Sequence, residues 1–174
     1  MNLNKYKTLE QLAEAMNTLI GGGGSSSPTI AYYMTNAGQS ISDTTLTIVD
    51  FEDQKHDTGS LVTTGASWKF TASTAGYYGV KAGIQFAASL SWAKAEYGRL
   101  SVYKDGTLYC HLDYRDELIS GGTAVTMPLH GMTVVYLAAS SYIDVRVYHN
   151  AGSAIALESS TDPQEYNYIA IWSL

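Results

Sequence analysis

The chain has 174 residues, a formal net charge of -6 and a single cysteine, Cys110. That length holds one ordinary domain with an appendage and buries a core without disulfides, which fits folding in a reducing cytoplasm. Lys and Arg are few and scattered, which speaks against nucleic acid as a partner, and the absence of a run of about 18 apolar residues speaks against membrane insertion.

Leu9, Leu12, Ala13, Met16, Leu19 and Ile20 recur at helical spacing and predict a helix over about 9–20. Thr8 and Gln11 have the spacing of a capping box, and Gly21 supplies the stop. Charged and polar residues interrupt every apolar run before Gly21, so no signal peptide is read there. Isolated helices shorter than about 12–15 residues are marginal in water. The stripe Leu9, Leu12, Met16 and Leu19 therefore needs a partner: its own domain, sister helices or another protein. Residues 21–28, GGGGSSSP, read as a flexible tether and not as a phosphate loop, since no Gly-Lys-Ser/Thr ending follows.

Residues 29–174 read as strands throughout. Leu46 and Ile48, Trp68 and Phe70, and Tyr78, Val80, Ala82, Ile84 and Phe86 alternate with their neighbours. So do Leu108, Cys110 and Leu112, and Ile143, Val145 and Val147. Period two predicts antiparallel sheets with one buried face, and turn signals such as DTGS, KDG and NAG separate the segments. Eight or so short strands make a sandwich or a barrel. The last segment, YNYIAIW, is apolar on both faces. One face enters the core and the other needs cover, most simply from another subunit, so Tyr166, Tyr168, Ile169, Ile171 and Trp172 are the expected subunit interface.

Asp57-Thr58-Gly59 spells the catalytic triplet of aspartic proteases. Lys55 and His56 precede it where an apolar strand is needed to bury the aspartate, and no second triplet occurs. A turn is the expected role. His56, His111, His130 and His149 lack metal-ligand spacing, and Cys110 falls on an apolar face where an inert thiol is expected. Asp113, Asp116 and Glu117 surround Arg115 and read as a surface ion-pair loop; calcium takes about six to eight oxygens, more than they offer. No catalytic residue, metal or cofactor is assigned.

The segment TIVDFEDQKHDTGSLVTTGASWKFTASTAGYYGVKAGIQF, and within it Phe70, Thr71, Gly76, Tyr77 and Tyr78, resembles the central signature of the globular head of complement component 1q. VYKDGTLY and the closing YNYIAIWSL resemble its hairpin and last strand. Ser73 stands where that family has Pro, and Ala139, Ser140 and Ser141 replace its Ala-Gly-Asp. The resemblance covers roughly residues 40–174. It implies an all-β antiparallel jelly-roll sandwich, shared with tumour necrosis factor, that forms homotrimers and binds partners without catalysis. The Thr- and Tyr-rich wording resembles bacteriophage versions. The implied protein is a virion component. It is a capsid decoration docked by residues 1–20 on the major capsid protein or another virion protein, tethered by 21–28, with 29–174 as the trimerisation domain. A helix and a tether make no shaft, which favours this over the alternative, a receptor-binding fibre tip with Tyr side chains and Trp92 as stacking faces for a host glycan.

Overall fold

The computed structural model describes residues 29–35, 37–88, 92–93, 95–116, 126–159 and 166–174. The expected helix with Leu9, Leu12, Met16 and Leu19, the tether 21–28 and Glu117 lie outside the described residues.

In chain order the strands are β1 (Ile30–Met34), β2 (Ser40–Ile41), β3 (Thr47–Ile48), β4 (Asp53–Asp57), β5 (Val62–Thr63), β6 (Lys69–Thr71) and β7 (Gly76–Phe86). There follow β8 (Tyr97–Lys104), β9 (Thr107–Asp116), β10 (Met127–Leu137), β11 (Tyr142–His149), β12 (Ile155–Ala156) and β13 (Tyr168–Ser173). The first sheet runs β10-β7-β13-β1-β4 and the second β5-β6-β11-β8-β9, with β3 also on β11 and a small β12-β2 pair apart. Every pairing is antiparallel. The strand that comes last in the sequence, β13, lies in the middle of the first sheet.

Alternation does most of the sorting. β7 sends Tyr78, Val80, Ala82, Ile84 and Phe86 inward, β11 sends Ile143, Val145 and Val147, and all are fully buried between the sheets. Trp68 sits at the centre, its indole N–H donating to the Phe51 carbonyl at 3.1 Å, with the rings of Tyr33 and Phe51 edge-on to it. The β8–β9 hairpin turns at Asp105 and Gly106, with φ of 48° and 80°, the left-handed pair that a two-residue turn requires.

Each open side of the sandwich is closed by side chains rather than by a ladder. On one side Asp57, at the end of β4, accepts from the backbone N–H groups of Leu61 and Val62 at the start of β5. On the other, β9 and β10 meet. The Tyr109 hydroxyl donates to the Val134 carbonyl at 2.9 Å, Lys104 Nζ donates to the Tyr136 carbonyl at 2.9 Å, and the His130 N–H donates to Asp113 at 3.1 Å. Gly131 admits this approach, since a Cβ there would stand 2.5 Å from the Leu112 carbonyl oxygen. β9 departs from the expected sealed face. It is an edge strand with two register shifts against β8, and its Leu108 is 44% exposed and Cys110 half-buried.

Candidate interaction surface

The outer face of the first sheet is built from residues that pair across four strands. Val134 of β10 faces Gly79 of β7, which faces Trp172 of β13, which faces Ile30 of β1. The next row is Met132, Lys81, Ala170 and Tyr32. Tyr136 pairs with Tyr77 beyond the first row, their rings edge-on at 5.3 Å, and Tyr168 pairs with Gly83 below the second. Gly79 and Gly83 lack the side chains that would stand in the way. A Cβ on Gly79 would lie 2.3 Å from the Trp172 ring, and one on Gly83 2.7 Å from the Tyr168 ring. The two rings therefore lie down on the β7 backbone and leave a low, aromatic surface with Lys81 over Tyr168. Met132 is 66% exposed and Tyr77 60%, with Val134 and Tyr136 also open to solvent. Exposed apolar side chains of this size, contiguous on one face, mark a site of contact with another molecule.

Of the five residues expected at a subunit interface, Ile169 and Ile171 are 1% exposed in the protomer's own core. Period two hands alternate residues of one strand to opposite faces, which removes both from any interface. Tyr168 and Trp172 lie on the outer face, and Tyr166 is exposed just ahead of β13. The large exposed contribution of β10 was not expected from the sequence.

Two sheets in this strand order can be compared with known folds. The sequence matches no protein-family model and no curated protein. Among solved structures, Eiger TNF from S. frugiperda matches with a TM-score of 0.60 at 14% identity, covering 84% of this chain and 92% of that one. The chain has a tumour necrosis factor-like fold. Murine APRIL matches with a TM-score of 0.57 at 13% identity, over 84% of this chain and 99% of that one. The globular domain of zebrafish complement 1qA gives 0.48 at 14% identity over 83% of this chain, too low to carry an argument.

Within this TNF-like sandwich the other singled-out residues have structural partners. Asp57 accepts from the N–H groups of Gly59, Leu61 and Val62, and from the Tyr33 hydroxyl at 2.9 Å. Its carboxylate is consumed by the turn and by the seam it holds. Burial first, and then the bond to Asp57, push the Tyr33 phenol up to about 12. His149 is fully buried, its Nε2 at 3.0 Å from the Ile41 carbonyl and its ring edge-on to Phe86 and Trp92. His111 Nδ1 lies 2.8 Å from the Ser101 hydroxyl, and loss of water around the ring, with Arg99 nearby, holds its pKa below the usual value. Asp113 takes the His130 N–H and Arg115 Nε, the latter at 3.4 Å. Among the described residues no three His, Cys, Asp or Glu side chains gather to hold a metal. Trp92, 2% exposed, offers no stacking face and corrects that expectation. A different set of rings gathers on the outer face of the second sheet: Tyr97 stacks on Tyr148 at 5.5 Å and lies tilted against the exposed Tyr114 at 5.0 Å.

Proposed function

We propose that the chain is a homotrimeric structural protein of a bacteriophage virion, a capsid decoration whose subunits meet through the outer face of β10, β7, β13 and β1. The observation that carries the trimer is that face. Tyr77, Met132, Val134, Tyr136 and Trp172 form a second apolar surface on a sheet whose other side already fills the core. A single protomer leaves it in water, and a symmetric assembly covers it. The docking element is residues 1–20. Leu9, Leu12, Met16 and Leu19 stand at helical spacing behind the Gly/Ser tether, and each buried Leu contributes about 1.5–3 kcal/mol. The occupant of that stripe is the major capsid protein or another virion protein.

The test is to mix the chain, and its Leu12→Asp/Met16→Asp double variant, with particles lacking this protein. The parent chain should bind, and the double variant should lose most occupancy while keeping its mass and melting temperature. Equal occupancy of both sinks the docking role. A second reading, a receptor-binding tip of a tail fibre, draws support from the cluster of Tyr114, Tyr97 and Tyr148 rings. Binding to host cells and not to capsids selects it.

A further inference from the structure

We propose that a pocket on the outer face of the second sheet binds one carboxylate-bearing sugar ring, such as a uronic acid. The pocket has a volume of about 190 Å³ and is lined by Ile48, Trp68, Lys69, Tyr142, Asp144 and Arg146, with Ser67 at its rim. It depends neither on the trimer nor on the particle, because β3, β6, β11 and the two residues just ahead of β6 in one protomer supply all of it.

The charges in the pocket do not balance. Asp144 is 2% exposed and both its oxygens are taken by Arg146, from Nε at 2.6 Å and from Nη2 at 3.1 Å. The guanidinium lies 4.0 Å above the Tyr103 ring, which fixes it in place. Two of its five N–H donors are spent on Asp144, and the rest are free to meet a ligand. Lys69 Nζ stands 5.1 Å over the Tyr142 ring and pairs with no carboxylate among the described residues. Two cations thus face one carboxylate, an excess positive charge on a chain whose net charge is -6. A single ligand carboxylate between Lys69 and the free edge of Arg146 completes the set.

The same geometry disfavours phosphate. Asp144 carries its charge beside the open edge of Arg146 and repels a dianion more strongly than a monocarboxylate. Hydroxyls of Ser67 and Tyr142 beside the apolar wall of Ile48 match a sugar ring, which offers hydroxyl edges and C–H faces together. The volume lies below the roughly 300–1,000 Å³ of drug-sized sites, so a single ring fits.

Saturation-transfer NMR on the full chain, with glucuronate, glucose and inorganic phosphate as separate probes, tests the assignment. Transfer to glucuronate is expected, with weaker or no transfer to glucose. Lys69→Gln should weaken glucuronate about tenfold, the loss of one charge-assisted hydrogen bond. Tyr142→Phe keeps the ring beneath Lys69 and should weaken it severalfold. Absence of transfer to glucuronate, or binding of glucose or phosphate as tight as that of glucuronate, overturns the proposal. If Lys69→Gln lowers the melting temperature, Tyr142→Phe decides, and unchanged affinity there overturns it as well.

Discussion

Asp57 shows how much one side chain does when four donors converge on it. The polar approach through Lys55 and His56 was enough to read a turn in place of a protease triplet. It gave no sign that the same carboxylate joins the edges of both sheets, because nothing local links residue 57 to the phenol of Tyr33, 24 positions earlier. Asn at this position offers one acceptor oxygen and points an NH₂ group at donors. Asp57→Asn should therefore destabilise the protein by about 1–3 kcal/mol in denaturant melts, without removing any peptidase activity. Tyr33 adds a pH dependence of known sign. An ordinary phenol titrates near about 10, and Tyr33 is pushed up to about 12. The unfolded chain loses its proton first, so the stability this group contributes is full below about pH 10 and is lost as pH rises toward about 12. Denaturant melts across that range should show the fall, and Tyr33→Phe should flatten it.

Among the elements, β7 and β11 were legible because apolar and polar positions alternate, and β13 because it is a short apolar run on both faces; the structure buries Ile143, Val145 and Val147 as the alternation in β11 requires. The strands missed by alternation have reasons in their surroundings. β4, Asp53–Asp57, is a polar edge strand with no buried row. β8 carries Gly98 in its inward row, where a Cβ would lie 2.9 Å from the Met127 sulfur. β10 alternates in space but not in hydrophobicity, since its outward Met132, Val134 and Tyr136 are as apolar as its inward Leu129, Val135 and Leu137. That masked strand also forms the seam with β9. A methyl group at Gly131 would press on the Leu112 backbone, which cannot swing aside as a side chain does. Gly131→Ala should cost about 1–3 kcal/mol, the usual range for overpacking. Gly76→Ala, where a Cβ meets nothing within 4 Å, is the control and should leave the melting temperature nearly unchanged.

For the whole molecule, the class of fold was legible in the sequence, and the partnered face was only half so. The two-sided apolar character of β13 pointed to a covered surface, but the surface is centred on β7 and β10, and two of the five residues assigned to it belong to the core. Met132→Asp with Val134→Asp places two charges where subunits are proposed to meet and touches no buried side chain. Multi-angle light scattering should show the trimer replaced by monomers with the β-sheet circular dichroism retained. A parent chain that is monomeric at micromolar concentration would end the trimer proposal at once. The place of β13 bears on how the molecule is made. Of the thirteen strands among the described residues this one is synthesised last, yet β7 and β1 have no partner on that side until it arrives. While the polypeptide is still growing, the first sheet consists of two separate halves with a gap between them, its apolar faces bare. The first sheet therefore cannot be assembled strand by strand in chain order: it joins only once β13 has been made, and until then its two halves expose surface prone to association.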